Sequence, residues 1–212
     1  MEYLTILPAW QKALAAAGLD QLDALLSFAD GECLSWHPRG KTSKYELPCG
    51  TRVFVKQDHF TKWKTTLRYM LRLQKPQPNT EKERQSFALV RELGITSPEV
   101  IAWGQRRRLG LPHQGVMVML PMNGIDLPSY LEREPDATKR QEAITRAEAT
   151  LALLQEKQLD WRTDCKPEHF FVLENDGEIG LIDLERLRLC KQPLSKKHKA
   201  MQLQRFRSLL PK

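Results

Sequence analysis

Apolar residues recur at helical spacing across residues 9–29, where Trp10, Leu14, Ala17, Leu22 and Leu25 lie three to five positions apart around an interruption at Gly18-Leu19-Asp20. That pattern predicts a helical hairpin or a kinked helix. The period then shortens to two. Glu32–Trp36, Ser43–Leu47 and Arg52–Lys56 read as three strands, separated by turns at residues 37–41 and at Pro48-Cys49-Gly50. Helical spacing returns from about Thr80 to Leu93, where Gly94 stops it, and Pro98 opens an extended run over Glu99–Gly104. Val116–Leu120 is wholly apolar and ends at Pro121-Met122-Asn123-Gly124, the form of a buried strand followed by a turn. Residues 136–157 carry Ile144, Ala147, Leu151 and Leu154 on one helical face, and a last short hydrophobic run ends in Leu181-Ile182-Asp183-Leu184.

Composition narrows the class. The chain of 212 residues is 41% hydrophobic, enough for one compact domain or two small lobes. No apolar run approaches the roughly 18 residues of a membrane span, and the start Met1-Glu2-Tyr3-Leu4 has no signal-peptide pattern, so the expected location is cytoplasmic. Cys33, Cys49, Cys165 and Cys190 lack metal-site spacing and read as free thiols of a reducing compartment.

Charge is distributed unevenly. His59–Asn79 holds five Lys/Arg and no acid, and Arg186–Lys212 holds nine and no acid, so against a net charge of +7 the rest of the chain is acidic. Two basic segments flanking the centre of the chain fit an anionic substrate or surface, and equally a pair of solvated faces. The first of them, an insert at about 58–79, reads as an amphipathic helix with Phe60, Trp63, Leu67, Met70 and Leu71 on one stripe beside Lys64, Arg68, Arg72 and Lys75. Such a helix could lie on an anionic membrane, face a glycolipid, or pack on its own lobe. Lys/Arg enrichment without an ordered reading motif gives no ground for sequence-specific nucleic-acid binding.

The chemistry lies in Asp164-Cys165-Lys166-Pro167-Glu168-His169 and in Asp183, fourteen positions after His169. An acid, a metal-ligating side chain five residues on, and a second acid at the end of the following strand form the spacing that phosphoryl transfer uses. Asp164 would orient and deprotonate the acceptor hydroxyl, Lys166 would reach the transferred phosphoryl group, and His169 and Asp183 would hold divalent metal, Mg²⁺ or Mn²⁺. Upstream, Lys56 ends the alternating stretch Val53-Phe54-Val55, and Glu83 lies in the first turn of the next long helix. An ion pair between them would hold Lys56 against the α- and β-phosphates of ATP. Gly40 supplies the single glycine of a phosphate-covering turn, and Met119, Leu120 and Met122 would line the adenine at a hinge.

With these residues in order, the chain resembles the lipopolysaccharide kinase family of the InaA/WaaP type. The resemblance rests on Val55-Lys56, on Glu83 followed by Leu93-Gly94-Ile95, on the Asp164–His169 loop with His where protein kinases use Asn, and on Ile182-Asp183-Leu184. It implies an α+β, two-lobed protein-kinase-like fold: residues 1–122 form a helical extension and a small β-rich N-lobe, and 123–212 a reduced, mostly helical C-lobe. It also implies ATP and a divalent cation as cofactors, a core sugar of an anionic glycolipid as acceptor, and a position at the inner face of the inner membrane. Three features depart from the pattern. Trp161-Arg162-Thr163 stands where a His or Arg scaffold is usual, Gly40 is alone in its turn, and only 29 residues follow Asp183. A minimal atypical protein kinase and a nucleotide-binding pseudokinase or scaffold are the alternatives.

Overall fold

The computed structural model describes residues 2–61, 67, 71 and 75–211. The chain forms two compact units, one from the residues up to Gln85 with Glu99–Pro121, the other from Ser86–Pro98 with Met122 onward.

The first unit is built on a six-stranded sheet in the order β1-β5-β6-β4-β3-β2, antiparallel throughout. Its strands are β1 (Glu2–Ile6), β2 (Glu32–His37), β3 (Gly40–Glu46), β4 (Arg52–Asp58), β5 (Val100–Arg108) and β6 (Leu111–Met119). Alternation in β4 buries Val53 and Val55 on the face where Leu14 of α1 (Gln11–Ala16) and Leu25 and Leu26 of α2 (Leu22–Leu26) pack. The predicted kinked helix is thus two short helices, α1 and α2, broken at Gly18, whose φ of +68° suits a residue without Cβ. Gln57, buried beside them, donates from its one amide nitrogen to the carbonyls of Leu25, Leu26 and Phe28 at 2.9, 3.0 and 3.2 Å, satisfying the C-terminal end of α2.

Two features of this sheet run beyond the sequence pattern. Strand β1 exists because β5 offers it an edge, with Leu4 opposite Gly104. The apolar run predicted over 116–120 is the end of a longer strand that begins at Leu111, across a two-residue turn from β5 in which Leu109 and Gly110 take φ of +50° and +77°. Positive φ at both turn positions matches the right-handed twist of a hairpin, which lets Arg106–Arg108 continue as strand despite their charge. Gly40 opens β3, where a Cβ would come within 2.5 Å of the Gln57 carbonyl, so close pairing with β4 accounts for the glycine there. Of the predicted stripe of the basic insert, Trp63 and Met70 lie outside the described residues, as do Lys64, Arg68 and Arg72.

Helix α3 (Asn79–Glu92) begins in the first unit, where Asp58 at the end of β4 accepts the Thr80 amide at 2.7 Å and so ties strand to helix. Gly94, at φ +79°, ends it.

The second unit holds a three-stranded antiparallel sheet, β10 (Ile179–Leu181), β9 (Phe170–Leu173) and β7 (Gly124–Asp126), and a two-stranded pair of β8 (Leu159–Asp160) and β11 (Arg188–Leu189). Around them stand α4 (Leu127–Arg133), α5 (Ala137–Glu156) and α6 (Lys196–Ser208). Each starts at a side-chain cap: Asp126 accepts Ser129 N, Asp136 accepts Thr138 N, and Ser195 accepts His198 N. Helix α5 buries Ala143, Ala147, Leu151 and Leu154, so Ala143 takes the place predicted for Ile144, which lies at the margin. Among the described residues no helix is long and apolar enough to cross a membrane.

Candidate active site

Strand β8 leads into the loop that carries Asp164. Trp161 follows it fully buried, its ring 5.4 Å from Phe170 and 5.8 Å from His169, while Phe170 in turn meets Phe206 of α6 at 5.0 Å. This aromatic row runs through the position where the sequence departs from a His or Arg scaffold, so the loop is supported by ring packing. The loop then closes on itself. Asp164 N donates to the Trp161 carbonyl at 3.1 Å, and the Asp164 carbonyl receives both Lys166 N and His169 Nδ1 at 2.9 Å.

That last contact fixes the imidazole. A carbonyl can only accept, so Nδ1 carries a proton, and in the neutral ring Nε2 presents its lone pair. Nε2 lies 3.5 Å from Asp183 Oδ2 and 3.6 Å from Glu168 Oε1. Asp183 is brought there by β10, which is pinned on both sides: Leu181 N donates to Thr96 O and Ile182 N to His169 O. Asp183 itself adopts φ +52°, a left-handed conformation that aspartate tolerates better than most residues. One ligand atom from each of Asp164, His169 and Asp183 lies within 4.8 Å of the others, with Asp164 and His169 buried. Two carboxylates and an imidazole nitrogen form a donor set suited to a divalent cation of the Mg²⁺ or Mn²⁺ kind.

Two cations border the cluster. Lys166 Nζ pairs with Glu168 Oε1 at 2.9 Å, and this hydrogen bond, reinforced by the charges of Glu168, Asp164 and Asp183, raises the lysine's pKa and keeps it protonated. Arg186, three residues beyond Asp183, places Nη1 3.6 Å from Asp164 Oδ1 while its side chain remains exposed. Sequence reasoning passed over it; the available signal was that the acid-free tail begins at this residue.

In the first unit, Lys56 Nζ lies 2.6 Å from Glu83 Oε2. Asp58, another residue the sequence did not single out, makes the pairing possible, since its carboxylate receives the start of the helix that carries Glu83. Of the residues expected to line the nucleotide, Met119 ends β6 buried, Leu120 donates its amide to Glu99 O at 2.9 Å, and both belong to the first unit. Met122 belongs to the second, where its sulfur packs against Gly180.

The fold has solved counterparts. WaaP, solved in complex with acyl carrier protein, superposes with a TM-score of 0.71 at 16% identity over 97% of this chain and 80% of that one. The autoinhibited serine kinase domain of titin gives 0.50 at 13% identity, over 76% of this chain and 46% of that one. The architecture is therefore protein-kinase-like. No curated protein matches the sequence. The model of the lipopolysaccharide kinase (Kdo/WaaP) family matches residues 39–210, which include the whole of the Asp164–Asp183 cluster, and the chain accordingly belongs to that family of phosphotransferases acting on an alcohol group.

Proposed function

We propose that the protein is an ATP-dependent kinase that phosphorylates a sugar hydroxyl of the lipopolysaccharide inner core, working in the cytoplasm at the inner face of the inner membrane. The observation that carries this reading is the convergence of Asp164, His169 Nε2 and Asp183 within 4.8 Å, with the imidazole tautomer set by the Asp164 carbonyl.

In this reading Asp164 accepts the proton of the acceptor hydroxyl and aims its oxygen at the donor phosphorus. His169 and Asp183 would hold a divalent ion, which when bound neutralises charge on the donor phosphates. Lys166 and Arg186 offer positive charge beside the acid, where negative charge accumulates on the transferred group. Lys56, positioned by Glu83, binds the α- and β-phosphates, with Gly40, Met119, Leu120 and Met122 completing the nucleotide site. The acceptor would be an anionic glycolipid, and the complex of the similar protein WaaP makes an acyl carrier protein a candidate partner here.

The test is transfer of labelled phosphate from ATP to purified core glycolipid, beside a generic protein substrate. Asp164→Asn should lower kcat by about 10²- to 10⁴-fold with little change in ATP affinity. An unaltered rate in the folded variant removes Asp164 from the mechanism. Transfer to the protein substrate alone favours an atypical protein kinase, and ATP binding without any transfer favours a pseudokinase.

A further inference from the structure

The C-terminal helix α6 reaches back to the loop that bears Asp164 at more points than packing requires. Gln202, fully buried, has its whole amide engaged: Nε2 donates to Asp160 Oδ1 at 2.9 Å and to the Arg162 carbonyl at 3.1 Å, and Oε1 accepts from Gln155 Nε2 of α5 at 2.9 Å. The Gln202 carbonyl accepts the Cys165 thiol at 3.4 Å. One turn on, Arg205 Nε donates to the Thr163 carbonyl at 3.3 Å. One turn back, His198 Nε2 meets Asp160 Oδ1 at 2.9 Å. Asp160 also receives the Arg162 amide at 2.8 Å and, on its other oxygen, Arg188 Nη2 at 2.9 Å.

The carbonyls of the loop can be followed one by one. Those of Trp161 and Asp164 are taken within the loop, that of Arg162 accepts from Gln202 of α6 and, at 3.6 Å, from the Cys165 thiol, and that of Thr163 is taken by Arg205 of α6. The bond from Arg205 to Thr163 is exposed, so water could have satisfied that carbonyl, and the bond there adds orientation. The bond to Arg162 also satisfies the buried Gln202 amide. Arg162 also sits at φ +57°, a left-handed conformation that a long side chain seldom adopts and that a local restraint must hold. Beside Arg205, Phe206 supports Phe170, and through it Trp161 and His169.

We propose that α6 is the positioning element of the catalytic loop, in which Gln202 and Arg205 grip the Arg162 and Thr163 carbonyls so that the Asp164 carboxylate stays aimed at the acceptor hydroxyl. The helix takes over the task that a His or Arg immediately before the catalytic acid would perform, and it explains how Trp161-Arg162-Thr163 can stand in that place. Misplacing a reacting group by about 1 Å can cost on the order of 10²-fold in rate, so loss of a grip on the preceding residues should appear in turnover and leave nucleotide binding alone. The proposal rests on Asp164 being the catalytic base.

The experiment measures kcat, KM for ATP and the thermal midpoint for Arg205→Met, Gln202→Met, Arg205→Lys and Asp164→Asn, with ATP and core glycolipid. Arg205 is exposed, so Arg205→Met should fold normally and keep its midpoint and its KM for ATP while kcat falls about threefold to tenfold. Gln202→Met should lower kcat at least about tenfold per folded molecule, and Arg205→Lys, still able to donate to Thr163, should recover most of the wild-type rate. Wild-type kcat in Arg205→Met and Gln202→Met, beside an inactive Asp164→Asn, overturns the role of α6 and leaves the base assigned. Full activity in Asp164→Asn instead overturns the assignment of the base. If Gln202→Met does not fold, the split between kcat and KM in Arg205→Met decides.

Discussion

Lys56 and Glu83 give the most quantitative prediction. Their charged atoms are 2.6 Å apart, and the carboxylate side chain is 2% exposed against 20% for the lysine. At an effective dielectric of about 20 the attraction of unit charges at that separation is about 6 kcal/mol, whereas withdrawing the carboxylate from water costs several kcal/mol. A net coupling of about 1–3 kcal/mol remains, within the range usual for contacting residues. Lys56→Met leaves the buried carboxylate facing an apolar group. Removing one partner of a fully buried pair costs about 3–5 kcal/mol, and the partial exposure of Lys56 should reduce this to about 2–3 kcal/mol by admitting water. Glu83→Gln leaves a lysine that can turn to solvent, so its cost should be smaller, about 1 kcal/mol. Urea denaturation at constant m measures all three variants, and in the Lys56→Met/Glu83→Gln double variant the losses should fall short of additive by the coupling. KM for ATP should rise in both single variants, and the double variant should be no worse than Lys56→Met, because both changes disable the same anchor. Stability losses that add to within about 0.3 kcal/mol would refute the pair as an energetic unit, and unchanged KM for ATP in both would separate it from the nucleotide.

Further outcomes follow from the second unit and the thiols. Imidazole suits transition metals better than an amide oxygen does, so His169→Asn should move the ratio of kcat in Mn²⁺ to kcat in Mg²⁺ toward Mg²⁺ at equal free metal; an unchanged ratio makes His169 a packing residue. Burial pushes the Cys165 thiol up to about 11, whereas hydrogen bonds from Thr51 lower the exposed Cys49. Iodoacetamide at pH 8 should therefore modify Cys49 early and Cys165 only on unfolding, read by peptide mass spectrometry; early labelling of Cys165 contradicts its burial. Burial alone would raise Asp160, but hydrogen bonds from Arg188, His198 and Arg162 hold it below the ordinary carboxylate value. Its contribution to stability is then fully present above the unfolded pKa of about 3.9 and is lost as pH falls through the lower folded value. The stability gap between wild type and Asp160→Asn should narrow below about pH 4, and a gap that is equal at pH 6 and pH 3 rules this out.

What could be read from the sequence was what depends on near neighbours. Alternation located β2, β3 and β4 to within a few residues, and Gly94 marked the end of α3, because pleat and helix stop are written in consecutive residues. The juxtaposition of Asp164, His169 and Asp183 was legible for a related reason: a loop, a short hairpin and fixed spacing leave little freedom in where the three side chains meet. Strand β1 was not legible, since five residues of mixed polarity become a strand only against β5, about a hundred positions away. Nor was the β5–β6 hairpin, where Leu109 occupies a turn position normally given to Asn, Asp or Gly.

The same distinction explains why the support of the loop that bears Asp164 was not legible. Trp161-Arg162-Thr163 reads locally as a defect, because a polar scaffold residue is missing next to the acid. The compensating contacts come from His198, Gln202 and Arg205, each about forty positions later, and none belongs to a motif. Read in isolation, the tail from Arg186 is an acid-free basic run whose meaning is only charge. In the folded unit its members divide by partner. Arg186 faces Asp164, Arg188 and His198 face Asp160, Arg205 faces the loop backbone, and Arg207 pairs with Glu148 at 2.6 Å. Lys196 and Lys197 lie exposed in the first turn of α6. The short segment after Asp183 thus contacts the loop from its inner face and carries positive charge on its outer one. Charge reversal at Lys196 and Lys197 should leave kcat on a soluble acceptor fragment unchanged, whereas Gln202→Met should lower it on every acceptor.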